Sequence, residues 1–285
     1  MKPDYLTDKS IRSFIKNAFS EDIGDGDHSS IGSIPEKATC KAQLLIKADG
    51  MIAGLEMADR IFKYVDDSLV INFSKKDGDM VEVGEVGFEV SGNSRSILSA
   101  ERLVLNCLQR MSAVASYTHY LTGLIKGTKA KLLDTRKTTP LFRLAEKWAV
   151  VIGGGVNHRF GLYDMVMLKD NHIDFAGGVK QAIEKTVNYL TKNKPELKIE
   201  VEVRSLDELQ EVIEIGQVHR VMLDNMLPSE IKQAIQMIGG RFETEASGGI
   251  TEKNITEIAE TGVDYISVGA LTHSYRSLDM SLKAF

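Results

Sequence analysis

The chain has 285 residues, 43% of them hydrophobic and 26% charged, and a formal net charge of −5. That length suits one large domain or two modest ones, and the acidic balance argues against nucleic acid as a partner, because phosphate backbones demand a basic surface. No apolar run approaches the roughly 18 residues that span a bilayer. The N-terminus lacks the basic start and apolar run of a secretory signal. Cys40 and Cys107 form neither a CxxC pair nor a disulfide framework. A reducing, cytoplasmic compartment and no membrane association are therefore expected.

In chain order, Ile11, Phe14, Ile15 and Ala18 keep a 3.6-residue period and predict a helix over Thr7–Phe19. The acidic, glycine-rich stretch 21–27 (EDIGDGD) then reads as a loop. Alternating runs at Lys41–Lys47, Leu69–Phe73 and Val81–Val90, punctuated by Gly and Asp, predict an antiparallel sheet. Residues 77–84 (DGDMVEVG) have the look of a carrier-domain turn, but no lysine sits at a hairpin tip, so an ordinary β-turn is expected. A long helix follows over Ser99–Lys126, from the spacing of Val104, Leu108, Met111, Ala115, Thr118, Leu121 and Ile125.

Beyond it, short β-type runs at Lys131–Asp134, Met165–Leu168, Ile199–Val203, Arg220–Leu223, Phe242–Glu245 and Tyr265–Val268 alternate with helical patterns. The helices are expected over Pro140–Val151, Gly178–Leu190, Asp207–Ile215, Ser229–Ile238 and Glu252–Glu260. Such alternation means a parallel sheet. Polar residues close the strands: Asp134, Lys169, Glu202, Asp224 and Ser247. That favours an α/β barrel, whose chemistry sits at the C-terminal strand ends, over an open doubly wound sheet, which would carry a G-x-G-x-x-G or Walker loop.

Cations concentrate between Asp134 and His172: Arg136, Lys137, Arg143, Lys147, His158, Arg159, Lys169 and His172. One local cationic segment in an acidic protein points to a small anionic ligand. In DTRKTTP, a strand delivers Arg136 and Lys137 into a loop, and a helix is expected to start at Pro140. The bland alternative is a solvated, threonine-capped loop. In GGGVNHR, three glycines permit close approach of backbone to a ligand beside His158 and Arg159; the alternative is a helix end and a flexible connection. Lys169 follows an apolar strand and is either a counter-charge or a Schiff-base nucleophile, against a plain surface lysine. Glu202 and Asp224 are hard oxygen donors suited to Mg²⁺, or barrel-filling carboxylates matched to Lys169 and Arg136. The turns EASGGI and SVGAL suit a phosphate cradled on backbone N–H groups.

Taken together, EDIGDGD, ERLVLN, DTRKTTP, GGGVNHR, LKDNH, VEVE, LDN, EASGGI and SVGALTHS, in that order and nearly spanning the chain, resemble the quinolinate phosphoribosyltransferase family. The resemblance implies an N-terminal α/β sandwich domain over residues 1–112, an incomplete α/β barrel of about seven strands over 113–272, and a tail, 273–285, packing back on the first domain. It implies phosphoribosyl transfer from phosphoribosyl pyrophosphate to quinolinate with decarboxylation, giving nicotinate mononucleotide in NAD synthesis. It further implies that Arg136, His158, Arg159 and Lys169 line the quinolinate pocket. Lys137, Glu202, Asp224, Ser247, Gly248 and Gly269 would surround phosphoribosyl pyrophosphate, with Glu202 and Asp224 serving Mg²⁺ directly or through water. Lys137, Lys169, Glu202 and Asp224 would be the catalytic groups. Arg102 would reach a neighbouring subunit's site in a homodimer, with a hexamer left open. Ala113 and Arg204 depart from the family pattern away from these positions. The rival readings are a related phosphoribosyltransferase with another acceptor, a Schiff-base lyase using Lys169, and a non-enzymatic sensor of small anions.

Overall fold

The computed structural model describes residues 3–285. Its elements run α1 (Asp8–Asp22), α2 (His28–Ser33), β1 (Thr39–Ile46), β2 (Gly50–Met51), α3 (Leu55–Val65), β3 (Val70–Phe73), β4 (Met80–Val81), β5 (Val86–Asn93) and α4 (Ser94–Leu124), then β6 (Lys131–Leu133), α5 (Arg143–Ile152), β7 (Val166–Leu168), α6 (Asp170–Ala176), α7 (Val179–Asn193), β8 (Ile199–Val203) and α8 (Leu206–Ile215), and finally β9 (Arg220–Asp224), α9 (Pro228–Ile238), β10 (Glu243–Ser247), α10 (Ile255–Ala259), β11 (Tyr265–Ser267), α11 (Ala270–His273) and β12 (Met280–Ala284). They form two compact units interleaved along the chain. One comprises Met1–His119, Lys137–Gly154 and Ala270–Phe285; the other comprises Tyr120–Arg136 and Gly155–Gly269.

In the first unit, Thr7 caps α1 by accepting from the Ser10 N–H at 3.0 Å while the Ser10 hydroxyl accepts from the Thr7 N–H at 3.0 Å. Ile11, Ile15 and Phe19 form its buried stripe. The acidic loop is shorter than expected: Glu21 and Asp22 complete the last turn of α1, and Asp27 caps α2 by accepting from the Ser30 N–H at 3.0 Å. The Asp77-Gly78-Asp79 turn has a structural task. Helix α3 starts at Gly54, which offers no side-chain cap, and the Asp77 carboxylate accepts from the Gly54 and Leu55 N–H groups at 2.6 and 2.8 Å. Burial raises the Asp77 carboxyl above the usual range, against the pull of those N–H donors.

The sheet of this unit has the order β12-β1-β5-β3, antiparallel throughout, with the C-terminal segment as its edge strand. The expected Val81–Val90 strand is split by a turn at Gly84 (φ +93°), leaving β4 to pair with β2 and β5 to enter the main sheet. Two expectations are corrected here. Helix α5 does not begin at Pro140: Leu141 holds φ +64°, outside helical space, so the helix starts at Arg143. Gly153 serves packing and not a ligand, since a Cβ there would lie 2.5 Å from the Ala115 carbonyl oxygen of α4.

The second unit holds six parallel strands in the order β6-β11-β10-β9-β8-β7. A parallel bridge from Val156 to Leu133 adds a seventh position beside β6. One face of the strands is apolar, with Val201, Val203, Val221, Leu223 and Ala246 buried. Helices α7 to α10 contribute their own buried stripes, including Ile183, Leu209, Val212, Ile231, Ala234 and Ile255. Because side chains alternate along a strand, Glu200 and Glu202 of β8, Arg220 and Asp224 of β9, and Glu243, Glu245 and Ser247 of β10 share the opposite face. Register places Glu200 and Glu243 each opposite Arg220, and Ser247 opposite Asp224. After Lys169, which follows β7, the chain enters α6, where the Lys169 N–H donates to His172 Nδ1 at 3.1 Å.

Candidate active site

Parallel strands put all their C-terminal ends at one end of the second unit. There the structure gathers Arg136 beyond β6, His158 and Arg159 beyond the Val156 bridge, Lys169 after β7, Glu202 on β8, Asp224 ending β9, Ser247 and Gly248 ending β10, and Gly269 beyond β11. Arg102 and Lys137 belong to the first unit, where both are exposed; the Lys137 carbonyl accepts from the Thr272 hydroxyl at 2.9 Å.

Asp134, fully buried at the end of β6, organises the histidine segment. Its carboxylate accepts from the His158 N–H at 2.8 Å and from Asn157 Nδ2 at 2.6 Å. His158 Nδ1 lies 2.7 Å from the backbone nitrogen of Arg159, and Nε2 faces the other way, 2.9 Å from Glu200 Oε2 and 3.4 Å from Glu245 Oε2. These are close charge contacts, not well-aligned hydrogen bonds. Arg220 closes the group, meeting Glu245 at 3.1 Å and Glu243 at 3.1 Å, with its guanidinium 4.1 Å from the Tyr265 ring centroid. Burial by itself would lower the His158 imidazole, but the two carboxylates outweigh it and hold it up at about 9. Burial and repulsion by Glu245 push Glu200 up, whereas His158 and Arg220 overcome burial to pull Glu245 down. The three side chains offer a His-Glu-Glu ligand set within 4.8 Å. With its pKa raised, His158 supplies the cation these carboxylates need.

Arg159 donates to the Met165 carbonyl at 3.1 Å and lies close enough to Arg136 for repulsion to matter: its guanidinium sits below its ordinary value, from burial first and Arg136 second. Two guanidiniums near one another beside His158 suit a dianion, which bidentate geometry would hold. Lys169 pairs directly with Glu202. On the neighbouring strand end, Asp224 accepts from Asn225 Nδ2 at 2.7 Å. Glu202, which is buried, and Asp224, which is half-buried, are hard oxygen donors of the kind Mg²⁺ takes, an ion that keeps several waters and rides on substrate phosphates. At the opposite end of the strands, a cavity of about 570 Å³ is lined by Lys131, by Lys129, which pairs with Asp264 at 2.7 Å, and by Arg241, which donates to the Ile238 and Met237 carbonyls.

Glu200, Glu245, Arg220 and Asn225 were not singled out as site residues by sequence reasoning. The Glu200/Glu202 alternation was visible, but pairing of the inner carboxylates with His158 depends on cross-strand register. The family departures are local. Arg204 is occupied by Glu208 at 2.6 Å and Asp174 at 3.1 Å, and Ala113 is buried in α4.

The models of the quinolinate phosphoribosyl transferase N-terminal and C-terminal domains match residues 25–112 and 114–283. A chloroplastic carboxylating nicotinate-nucleotide pyrophosphorylase of Arabidopsis thaliana is 45% identical over 298 residues, covering 99% of this chain and 85% of that one. The crystal structure of NadC from Streptococcus pyogenes superposes with a TM-score of 0.91 at 39% identity, covering 100% of both chains. A nicotinate-nucleotide pyrophosphorylase structure from Francisella tularensis superposes with a TM-score of 0.89 at 38% identity, covering 98% of both.

Proposed function

The chain belongs to the quinolinate phosphoribosyltransferase family, and from that premise we propose how its residues divide the work of a decarboxylating phosphoribosyl transfer. The protein converts quinolinate and phosphoribosyl pyrophosphate to nicotinate mononucleotide, pyrophosphate and CO₂. The observation that carries the assignment of the acceptor pocket is the proximity of Arg136 to Arg159, close enough for their charges to repel, in the segment that also carries His158. Two guanidiniums answer the two carboxylates of quinolinate, and Lys169 completes the cationic wall.

The ring nitrogen of quinolinate attacks the anomeric carbon while the bond to pyrophosphate breaks and its electron pair leaves with pyrophosphate. Backbone N–H groups of the Ser247-Gly248 turn and Gly269 hold phosphate oxygens. Glu202 and Asp224 would hold Mg²⁺, directly or through water, and the ion supplies countercharge to the pyrophosphate. Glu202 or Asp224 also favours the positive charge that develops on the ribose. Once glycosylated, the ring nitrogen is cationic, so the adjacent C–CO₂ bond breaks with its electrons drawn into the ring. A proton then fills that carbon. Lys169, held against Glu202, is the proton donor in this scheme.

The active enzyme in this reading is a homodimer in which Arg102 enters the partner's acceptor pocket; a hexamer would repeat that contact. Support comes from the first unit, where Arg102 is exposed on α4 and a groove of about 730 Å³ runs beside it past Leu103 and Asn106 to Leu141, which is 88% exposed. Among the described residues no helix is long and apolar enough to cross a membrane, and the cytoplasm is the compartment we assign. Acceptor choice tests the pocket. Quinolinate should be turned over and nicotinate should not, since a monocarboxylate leaves one guanidinium unanswered. Equal turnover of both would overturn the dicarboxylate assignment.

A further inference from the structure

Among the described residues, two non-glycine residues have positive φ, Leu141 and Asn225. Asn225 stands between the acid that ends β9 and the glycine turn that ends β10. Its φ is +54°, a conformation Asn tolerates better than most residues. In that conformation its backbone N–H donates to the Ser247 carbonyl at 2.8 Å, one residue beyond the last strand pair, Ser247 with Asp224. Its side-chain Nδ2 turns back to donate to Asp224 Oδ2 at 2.7 Å. That bond orients the amide and leaves Oδ1 over Gly248. The fit is close: a Cβ on Gly248 would lie 2.2 Å from Oδ1 and 2.5 Å from Cγ of Asn225, and Gly248 itself holds φ +89°. One exposed side chain therefore touches both the carboxylate and the turn.

We propose that Asn225 is a positioning residue for phosphoribosyl pyrophosphate, fixing the Asp224 carboxylate and the Ser247-Gly248 turn in one mutual geometry so that both engage the same ligand. The inference rests on the reading above that Asp224 and this turn serve phosphoribosyl pyrophosphate. It makes Asn225 specific to the donor substrate, since its contacts reach none of the acceptor cations. Without the amide, the Asp224 carboxylate is free to rotate and the turn loses the surface that packs on Gly248.

The test compares Asn225→Gly with Asn225→Asp. The glycine variant keeps the positive φ and the backbone bond to Ser247 and removes only the amide. The aspartate variant keeps the shape and replaces the donor with a second carboxylate beside Asp224. Both should raise the KM and the calorimetric Kd for phosphoribosyl pyrophosphate about tenfold or more, the loss of a hydrogen bond to a charged group. The Kd for quinolinate should stay within about twofold, and the thermal midpoint should hardly move because the site is exposed. Donor affinity within about twofold of the parent in the folded glycine variant would overturn the proposal; if that variant does not fold, the same result in Asn225→Asp would do so. Asp224→Asn separates the two levels of argument. If it weakens donor binding while Asn225→Gly does not, only the positioning role falls. If Asp224→Asn also leaves donor binding unchanged, the underlying assignment falls and this inference with it.

Discussion

Replacing Glu245 with glutamine removes one of the two carboxylates against His158 while keeping the volume of a fully buried side chain. In the parent, the imidazole is held at about 9 against an ordinary 6.5, a preference for imidazolium of about 3 kcal/mol at roughly 1.4 kcal/mol per pH unit. Since the folded value is raised, this stabilisation is fully present below pH 6.5 and is lost as pH rises through about 9. Glu200 at 2.9 Å and Glu245 at 3.4 Å share the task, so Glu245→Gln should withdraw about half, on the order of 1 to 2 kcal/mol. Arg220 keeps Glu243 at 3.1 Å, which limits collateral damage. Urea unfolding at a series of pH values from 6 to 9.5 measures the effect. The parent should lose stability steadily across this window, and the variant should start lower and lose less. An unchanged pH slope in a folded Glu245→Gln protein would refute the claim that these carboxylates hold the imidazolium.

Lys169→Ala should slow CO₂ release in single turnover about a hundredfold or more while changing quinolinate Kd far less; equal losses in both would mean the lysine only binds. Arg159→Lys should raise the quinolinate KM by about tenfold to a hundredfold, because a point charge cannot replace bidentate contact, and the KM for phosphoribosyl pyrophosphate should hold. Arg102→Ala and Lys169→Ala should each be nearly inactive alone and regain activity when mixed, provided a site takes residues from two copies; mixtures as inactive as their components would contradict the shared site. Chelation of divalent cations should abolish turnover reversibly, and Glu202→Gln or Asp224→Asn should need more Mg²⁺ for half activity.

Much of the site lies in short segments where a polar residue interrupts an apolar strand, as at Lys169 after MVML or Asp224 after RVML. Such breaks are readable locally, and a repeated strand–helix rhythm then brings the breaks to one end of a parallel sheet. Glu200 and Glu245 carry no comparable signal. They occupy ordinary alternating positions, and their meeting with His158 depends on register between strands that are neighbours only in space. Arg220 is legible as a strand start, not as the closing charge of a buried network. Glycines misled in one place: Gly153 reads as ligand-facing, but α4 takes its close approach. Proline misled in another, because Leu141 at φ +64° postpones the helix that Pro140 announces. The edge strand β12 escaped notice since five residues without a flanking turn signal look like a tail, and only its pairing with β1 makes it a strand.

We assign quinolinate and phosphoribosyl pyrophosphate together to the C-terminal end of the second unit, with transfer and decarboxylation performed on the same ring. Incubation with quinolinate labelled in the carboxylate next to the ring nitrogen, phosphoribosyl pyrophosphate and Mg²⁺ tests it directly. Labelled CO₂, pyrophosphate and nicotinate mononucleotide should appear in equal amounts, and Arg136→Ala and Arg159→Ala should abolish all three in parallel. Release of CO₂ without nucleotide, or full activity in both arginine variants, would contradict it.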